Sequence, residues 1–281
     1  TIEQPYTLMY TTASQASYII ETAPSVDFSG NEELRNAYMG EAYFWRAFAH
    51  YYLLINFRNI SPIRQMPRNG DDYVRPLEKP AAVWNFIQED LAHAKELLPV
   101  KGYWDSKNAG RVTKASAAAL LGKAYLYRSG IEQYYGEDKT TFYSEAAKEF
   151  GDVIDGKYGT YDLTKNYADN FDVAHENNEE SILEFQFLGD VDNAGFNPGL
   201  ATSGLAFDSR GLMLPGAGVG YEGVVHNWLY NAFVNSVDKD GYTDIRMFST
   251  MIFNDLDASI HLRNDAGKGH RRNIVLPVDF D

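Results

Sequence analysis

The chain has 281 residues, 44% of them hydrophobic, and a formal net charge of −14. That length and apolar content can bury a sizeable core, as one large domain or two smaller ones. The acidic balance excludes a phosphate-reading surface for nucleic acid and disfavours an anionic membrane face. With no cysteine there is no disulfide, no thiolate chemistry and no Cys-based zinc site. No apolar run approaches the roughly 20 residues that span a bilayer. The start, TIEQPYTLMYTT, is neither Met nor a charged-then-apolar signal segment, and the end follows NIVLPVDFD without a closing helix. These ends read as those of a piece incomplete on both sides.

The predicted elements begin with a helix over Asn31–Asn56. Asn31 caps it, Glu32 and Glu33 suit the positive end of its dipole, and Leu34, Tyr38, Tyr43, Ala47, Phe48, Tyr51 and Leu54 recur at helical spacing. It stops near Phe57, before a loop with three prolines and an Asn69-Gly70 turn. A second helix, Ala81–Leu98, lies between Pro80 and Pro99. Helices near Thr113–Ser129 and Thr141–Ile154 follow. There Leu121-Gly122-x-x-Tyr125 and Ala146-x-x-x-Phe150 make most of a tetratricopeptide pattern, small residues letting two helices approach and large ones filling the gaps. Ala118 stands where that pattern expects Trp. The pairs 31–56/81–98 and 113–129/141–154 read as two units of one stacked array.

Beyond Tyr158 the character changes. ESILEFQFL, Glu180–Leu188, alternates as a strand does. Gly189–Gly223 is rich in Gly, Asn and Pro and too long for a mere connection, so it reads as a functional loop. A helix is predicted over Val224–Asn235.

Several segments resemble the SusD/RagB family. Glu41–Leu54, EAYFWRAFAHYYLL, is similar to the family's Arg-Ala-Phe helix, and the segment to Pro99, VWNFIQEDLAHAKELLP, to the helix that ends in Leu-Pro. GRVTKASAAALLGKAYLY at 110–127, the stretch 143–158, YADNF at 167–171 and NEESILEFQ at 178–186 continue in the family's order. The match is dense over about 31–190 and thinner through Val225–Phe253. The resemblance implies a mainly α fold of tetratricopeptide-like hairpins, a SusD-like α/α superhelix with long irregular loops and few short strands. On that reading 1–190 is the helical core and 191–281 a loop-rich, ligand-binding portion packed on it. It further implies a non-catalytic glycan receptor on the outer face of an outer membrane. Such a receptor passes oligosaccharide or polysaccharide to a TonB-dependent outer-membrane transporter, and only a lipid anchor absent from this chain would hold it to the membrane.

Sugar recognition wants flat aromatic faces against C–H surfaces and planar polar groups against hydroxyls. Tyr221, between glycines in GAGVGYEG, has little local core to join, and Asp208, Arg210, Asn227 and Trp228 lie near it in sequence. These five are candidate ligand-binding residues, with Trp104 of the Tyr103-Trp104 loop as a sixth. The packing alternative stands beside each tryptophan: Trp228 on an apolar helix face, Trp104 tucked onto the adjacent helices. Trp45 and Trp84, inside helices, read as packing.

Other chemistry finds little support. Gly218-x-Gly220-x-x-Gly223 follows no apolar strand, so it is not a dinucleotide site. Asp238-x-Asp240-Gly241-x-x-Asp244 has calcium-loop character, but Ser249 stands where the closing Glu belongs, so it reads as a turn. No His spacing suits a metal hydrolase and no Gly-x-Ser-x-Gly is present, so no catalytic residue, metal ligand or cofactor is assigned. No pair of carboxylates is singled out for glycoside hydrolysis. The alternative function is a peptide- or protein-binding helical-repeat adaptor that uses the concave face of the array.

Overall fold

A computed structural model describes residues 3–136, 140–171, 173–186, 227–244 and 246–250. They fall into two compact units, one of residues 1–163 and 177–185, the other of 164–176 and 186–281. The first unit is a serial stack of helices: α1 (Glu3–Thr22), α2 (Glu32–Phe57), α3 (Pro80–Leu97), α4 (Lys114–Tyr135) and α5 (Tyr143–Ile154). Each packs on the next in the chain. This is the mainly α, hairpin-stacked fold that the pattern implies.

Local chemistry sets the boundaries. Asn31 Oδ1 accepts from Leu34 N at 3.0 Å and starts α2. Pro80 opens α3, where its missing N–H costs nothing. Helix α4 runs past the predicted Ser129 to Tyr135, because Gly130 is tolerated in place and the chain reverses only at Gly136, in the left-handed region with φ 70°. Helix α1 was not among the predicted elements. Its inward residues are Ala13, Ala16 and Ser17, too small to give a strong apolar stripe.

The main core joins Phe44, Tyr51, Leu54, Trp84, Ile87, Leu91 and Leu121. Trp84 is fully buried there, and half-buried Trp45 packs on Phe44, Phe48 and Phe185. Two polar clamps cross it. Arg46 grips Asp90 through two bonds of 2.7 Å, also reaching the Arg64 carbonyl at 2.9 Å. Buried His50 holds the chain after α2: its Nδ1 sits 2.8 Å from the Arg46 carbonyl, and Ile63 N donates to its Nε2 at 2.9 Å.

One expectation is corrected here. Residues 180–186 form no strand. The segment docks on the helices as an irregular extended piece, with Ile182 in one small cluster, Leu183 on the main core and Phe185 against Trp45. Its Ile182 carbonyl is taken by the Ser116 hydroxyl at 3.0 Å rather than by a neighbouring strand. Alternation marks any two-faced extended segment, and a ladder needs a partner strand as well.

In the second unit the described residues form 3-10 turns at Tyr167–Phe171 and Val173–His175, helix α6 (Asn227–Asn235) and a single turn, α7 (Met247–Thr250). Between α6 and α7 the Asp238–Asp244 stretch is a tight turn. Asp238 Oδ1 accepts from the amides of Asp240 and Tyr242 at 2.9 and 3.0 Å, and Gly241 has φ 84°. Asp244 pairs with Arg246, which holds its carboxyl below the usual range.

Candidate functional site

The sequence candidates divide between the two units. Tyr221, Asp208 and Arg210 lie outside the described residues, as does the whole 189–223 loop. Asn227 and Trp228 open α6, both exposed, with Trp228 showing 68% of its surface. The inward side of α6 is taken by half-buried Leu229, Tyr230, Phe233 and Val234 instead. Trp228 therefore shares the open side with Asn231 and Asn235, three and seven positions on, which helical spacing places on one stripe. An aromatic ring in line with two amides is what a shallow hydroxyl-binding surface requires. Those two asparagines were missed in the sequence, although the spacing that reveals them is legible there.

Trp104, in the first unit, is placed differently. Its Nε1 donates to the Val112 carbonyl at 3.2 Å, and the Arg111 guanidinium lies 4.0 Å above its ring. Arg111 is itself fixed by Glu41, whose carboxylate accepts from Nε at 2.8 Å and from a terminal nitrogen, holding the guanidinium pKa above its ordinary value. Tyr103 meets Trp104 edge to face at 4.9 Å. Arg111 thus covers one face of a half-buried ring, which leaves Trp104 a smaller surface than Trp228 to offer a ligand.

The helical body also carries a long groove of about 950 Å³ between α1 and the 61–75 loop. Tyr6, Tyr10 and Tyr18 line one wall and Ile63, Met66 and Pro67 the other. Tyr6 and Tyr18 are 41% and 55% exposed, so large apolar area stays open along the first helix. Among the described residues no cluster of His, Asp and Glu is arranged to hold a metal ion.

Residues 1–126 match the protein family described as SusD-like, starch-binding and associating with the outer membrane. This stretch is similar to SusD-like proteins. A SusD-like protein of Bacteroides ovatus is 29% identical over 180 residues, 64% of this chain and 32% of that protein. A laminarin-binding SusD-like protein of solved structure is 28% identical with a TM-score of 0.53, covering 62% of this chain and 35% of the other. A crystal structure with xylogluco-oligosaccharide is 27% identical with a TM-score of 0.53, covering 66% and 35%. This chain spans about a third of the length of these relatives.

Proposed function

We propose that this chain is the greater part of the helical body, with some of the ligand-binding portion, of a non-catalytic cell-surface glycan receptor. It takes up oligosaccharide or polysaccharide and delivers it to a TonB-dependent outer-membrane transporter, held at the outer membrane by a lipid anchor. The observation that carries this reading is the SusD-like helical body itself, shared with relatives whose ligands are laminarin and xylogluco-oligosaccharide. Residues 191–281 supply the loop-rich binding portion, with Tyr221, Asp208 and Arg210 as contacts beside Asn227 and Trp228. The exposed ring of Trp228, in line with Asn231 and Asn235, supports that assignment. Such a shallow, wet surface gives a single-site Kd of ~10 µM to ~1 mM.

Affinity electrophoresis through gels containing laminarin, xyloglucan or starch tests the reading. Retardation in one gel, abolished by Tyr221→Ala or Trp228→Ala without loss of fold, is the expected result. Retardation by none overturns it.

The groove along α1 favours a second reading, in which the helical array receives a peptide or protein segment. Here the tyrosines of α1, and not Trp228, carry the binding. Tyr18→Ala would then abolish capture that Trp228→Ala leaves intact.

A further inference from the structure

Where α2 ends, α3 begins and α4 ends, the helical body encloses a pocket of about 320 Å³, at the small end of the range for ligand sites. Asn56, Arg58, Trp84, Gly130, Tyr134 and Tyr135 line it. Three features set it apart from an accidental gap between helix ends.

Its mouth carries two adjacent aromatics that the core leaves uncovered. Tyr134 and Tyr135 are 83% and 57% exposed, with their rings edge to face at 5.1 Å. Its floor is held rigidly. The Glu132 carboxylate, fully buried, accepts from both terminal nitrogens of Arg58 at 2.8 Å and from Trp84 Nε1 at 2.7 Å. The Arg58 guanidinium then lies 4.1 Å from the centre of the Tyr135 ring and fixes that ring in place. Finally, Arg58 leaves α2 at φ 63° and ψ −70°, a conformation that costs a non-glycine residue about 1 kcal/mol or more. Glycine would relieve that strain, but only a long cation reaches Glu132.

The charge pattern selects the ligand. Glu132 pairs with Arg58, and among the described residues no other acid or cation lines the pocket. An anion meets a guanidinium already paired, on a chain of net charge −14, and a cation meets a carboxylate sealed from solvent. What remains favoured is an uncharged ring with apolar C–H faces and hydroxyl edges. Asn56 donates Nδ2 to the Tyr52 carbonyl at 2.8 Å, which leaves its Oδ1 to accept from such a hydroxyl.

We infer that this pocket is a saccharide subsite of the helical body, separate from the α6 surface. Tyr134 and Tyr135 form its platform, Asn56 accepts from a hydroxyl, and Arg58 positions the Tyr135 ring. The assignment rests on the glycan reading above. Its consequence is that the helical body contributes to glycan capture in its own right.

The test is calorimetric titration of laminarin, xylogluco-oligosaccharide and starch into the wild type, Tyr134→Ala, Tyr134→Phe and Asn56→Ala. The expected result is at least a fivefold weaker Kd for Tyr134→Ala and Asn56→Ala, and wild-type affinity for Tyr134→Phe, which keeps the ring. Melting temperatures stay unchanged, because both side chains are exposed. A wild type that binds, with both alanine variants binding equally well, overturns the subsite and leaves the glycan reading standing. A wild type that binds none of the three ligands overturns both.

Discussion

The ring of Phe150 in α5 rests directly on Gly122 in α4: a Cβ added at Gly122 would fall 2.8 Å from Phe150 Cε1. That contact is the small-against-large pairing of the helical hairpin, and it sets how closely the two helices approach. Alanine at an exposed helix position gains about 1 kcal/mol over glycine. At Gly122 overpacking of about 1–3 kcal/mol opposes that gain, because an aromatic ring cannot swing aside without moving α5. Gly122→Ala is therefore expected to lower stability by about 1 kcal/mol. Gly151→Ala, in α5 with nothing within 4 Å of its Cβ, is expected to raise it. Urea denaturation of the pair decides the matter, and equal gains would remove the close approach as the cause.

His50 gives the fold a defined pH dependence. Its Nε2 accepts from Ile63 N, so the ring is neutral with its proton on Nδ1 toward the Arg46 carbonyl. Burial is the largest cause of its lowered pKa, about 4 against the ordinary 6.5, and the Arg46 and Arg64 charges push the same way. Between those values the unfolded chain binds more protons than the folded one, so stability rises with pH. The contribution is whole above about pH 6.5 and is lost progressively as pH falls toward 4. At about 1.4 kcal/mol per unit, roughly 2 kcal/mol disappears between pH 7 and pH 5. Asp152, pulled down to about 2 chiefly by Lys148 and then by Lys157, acts only in a more acid window. Denaturation midpoints at pH 7 and 5 should draw together in His50→Gln, and an unchanged difference would assign the slope elsewhere.

The Arg46–Asp90 pair ties α2 to α3 with both groups almost fully buried. Removing one partner strands the other charge in the core, so Asp90→Ala is expected to cost about 3–5 kcal/mol. The double change Arg46→Met with Asp90→Leu removes the unpaired charge and should recover much of that loss. Guanidinium denaturation of the single and double variants measures it. Additive losses would mean that the two residues stabilise the fold independently.

What was legible in the sequence follows from how strongly each residue marks its surroundings. Helices α2 and α3 announce themselves through Asn31, Pro80, Pro99 and large apolar side chains at helical spacing. Helix α1 does not, because Ala13, Ala16 and Ser17 are the residues it buries. ESILEFQFL carries the alternation of a strand, but among its described residues Leu183 packs on the helices and the Ile182 carbonyl accepts from the Ser116 hydroxyl of α4. The pocket below Tyr134 was invisible for another reason. Arg58 and Glu132 stand 74 positions apart, and no local pattern says that two such residues meet. Trp228 could be read as core or as surface from composition alone. Only the half-buried set Leu229, Tyr230, Phe233 and Val234 shows which side of α6 turns inward.

That orientation separates the two candidate tryptophans by experiment. Trp228 is 68% exposed, so removing its ring takes little from the fold. Trp228→Ala should leave the melting temperature unchanged and weaken glycan retention about tenfold, or ~1.4 kcal/mol. Trp104 has the opposite profile: it donates to the Val112 carbonyl and carries Arg111 on its face. Its loss costs a hydrogen bond and a cation–π contact, about 1–3 kcal/mol of stability together, with a smaller effect on retention. Thermal melts and affinity gels run on both variants give a crossed result if the assignment holds. Stability lost at Trp228 together with unchanged retention would return that ring to a packing role and move the binding surface away from α6.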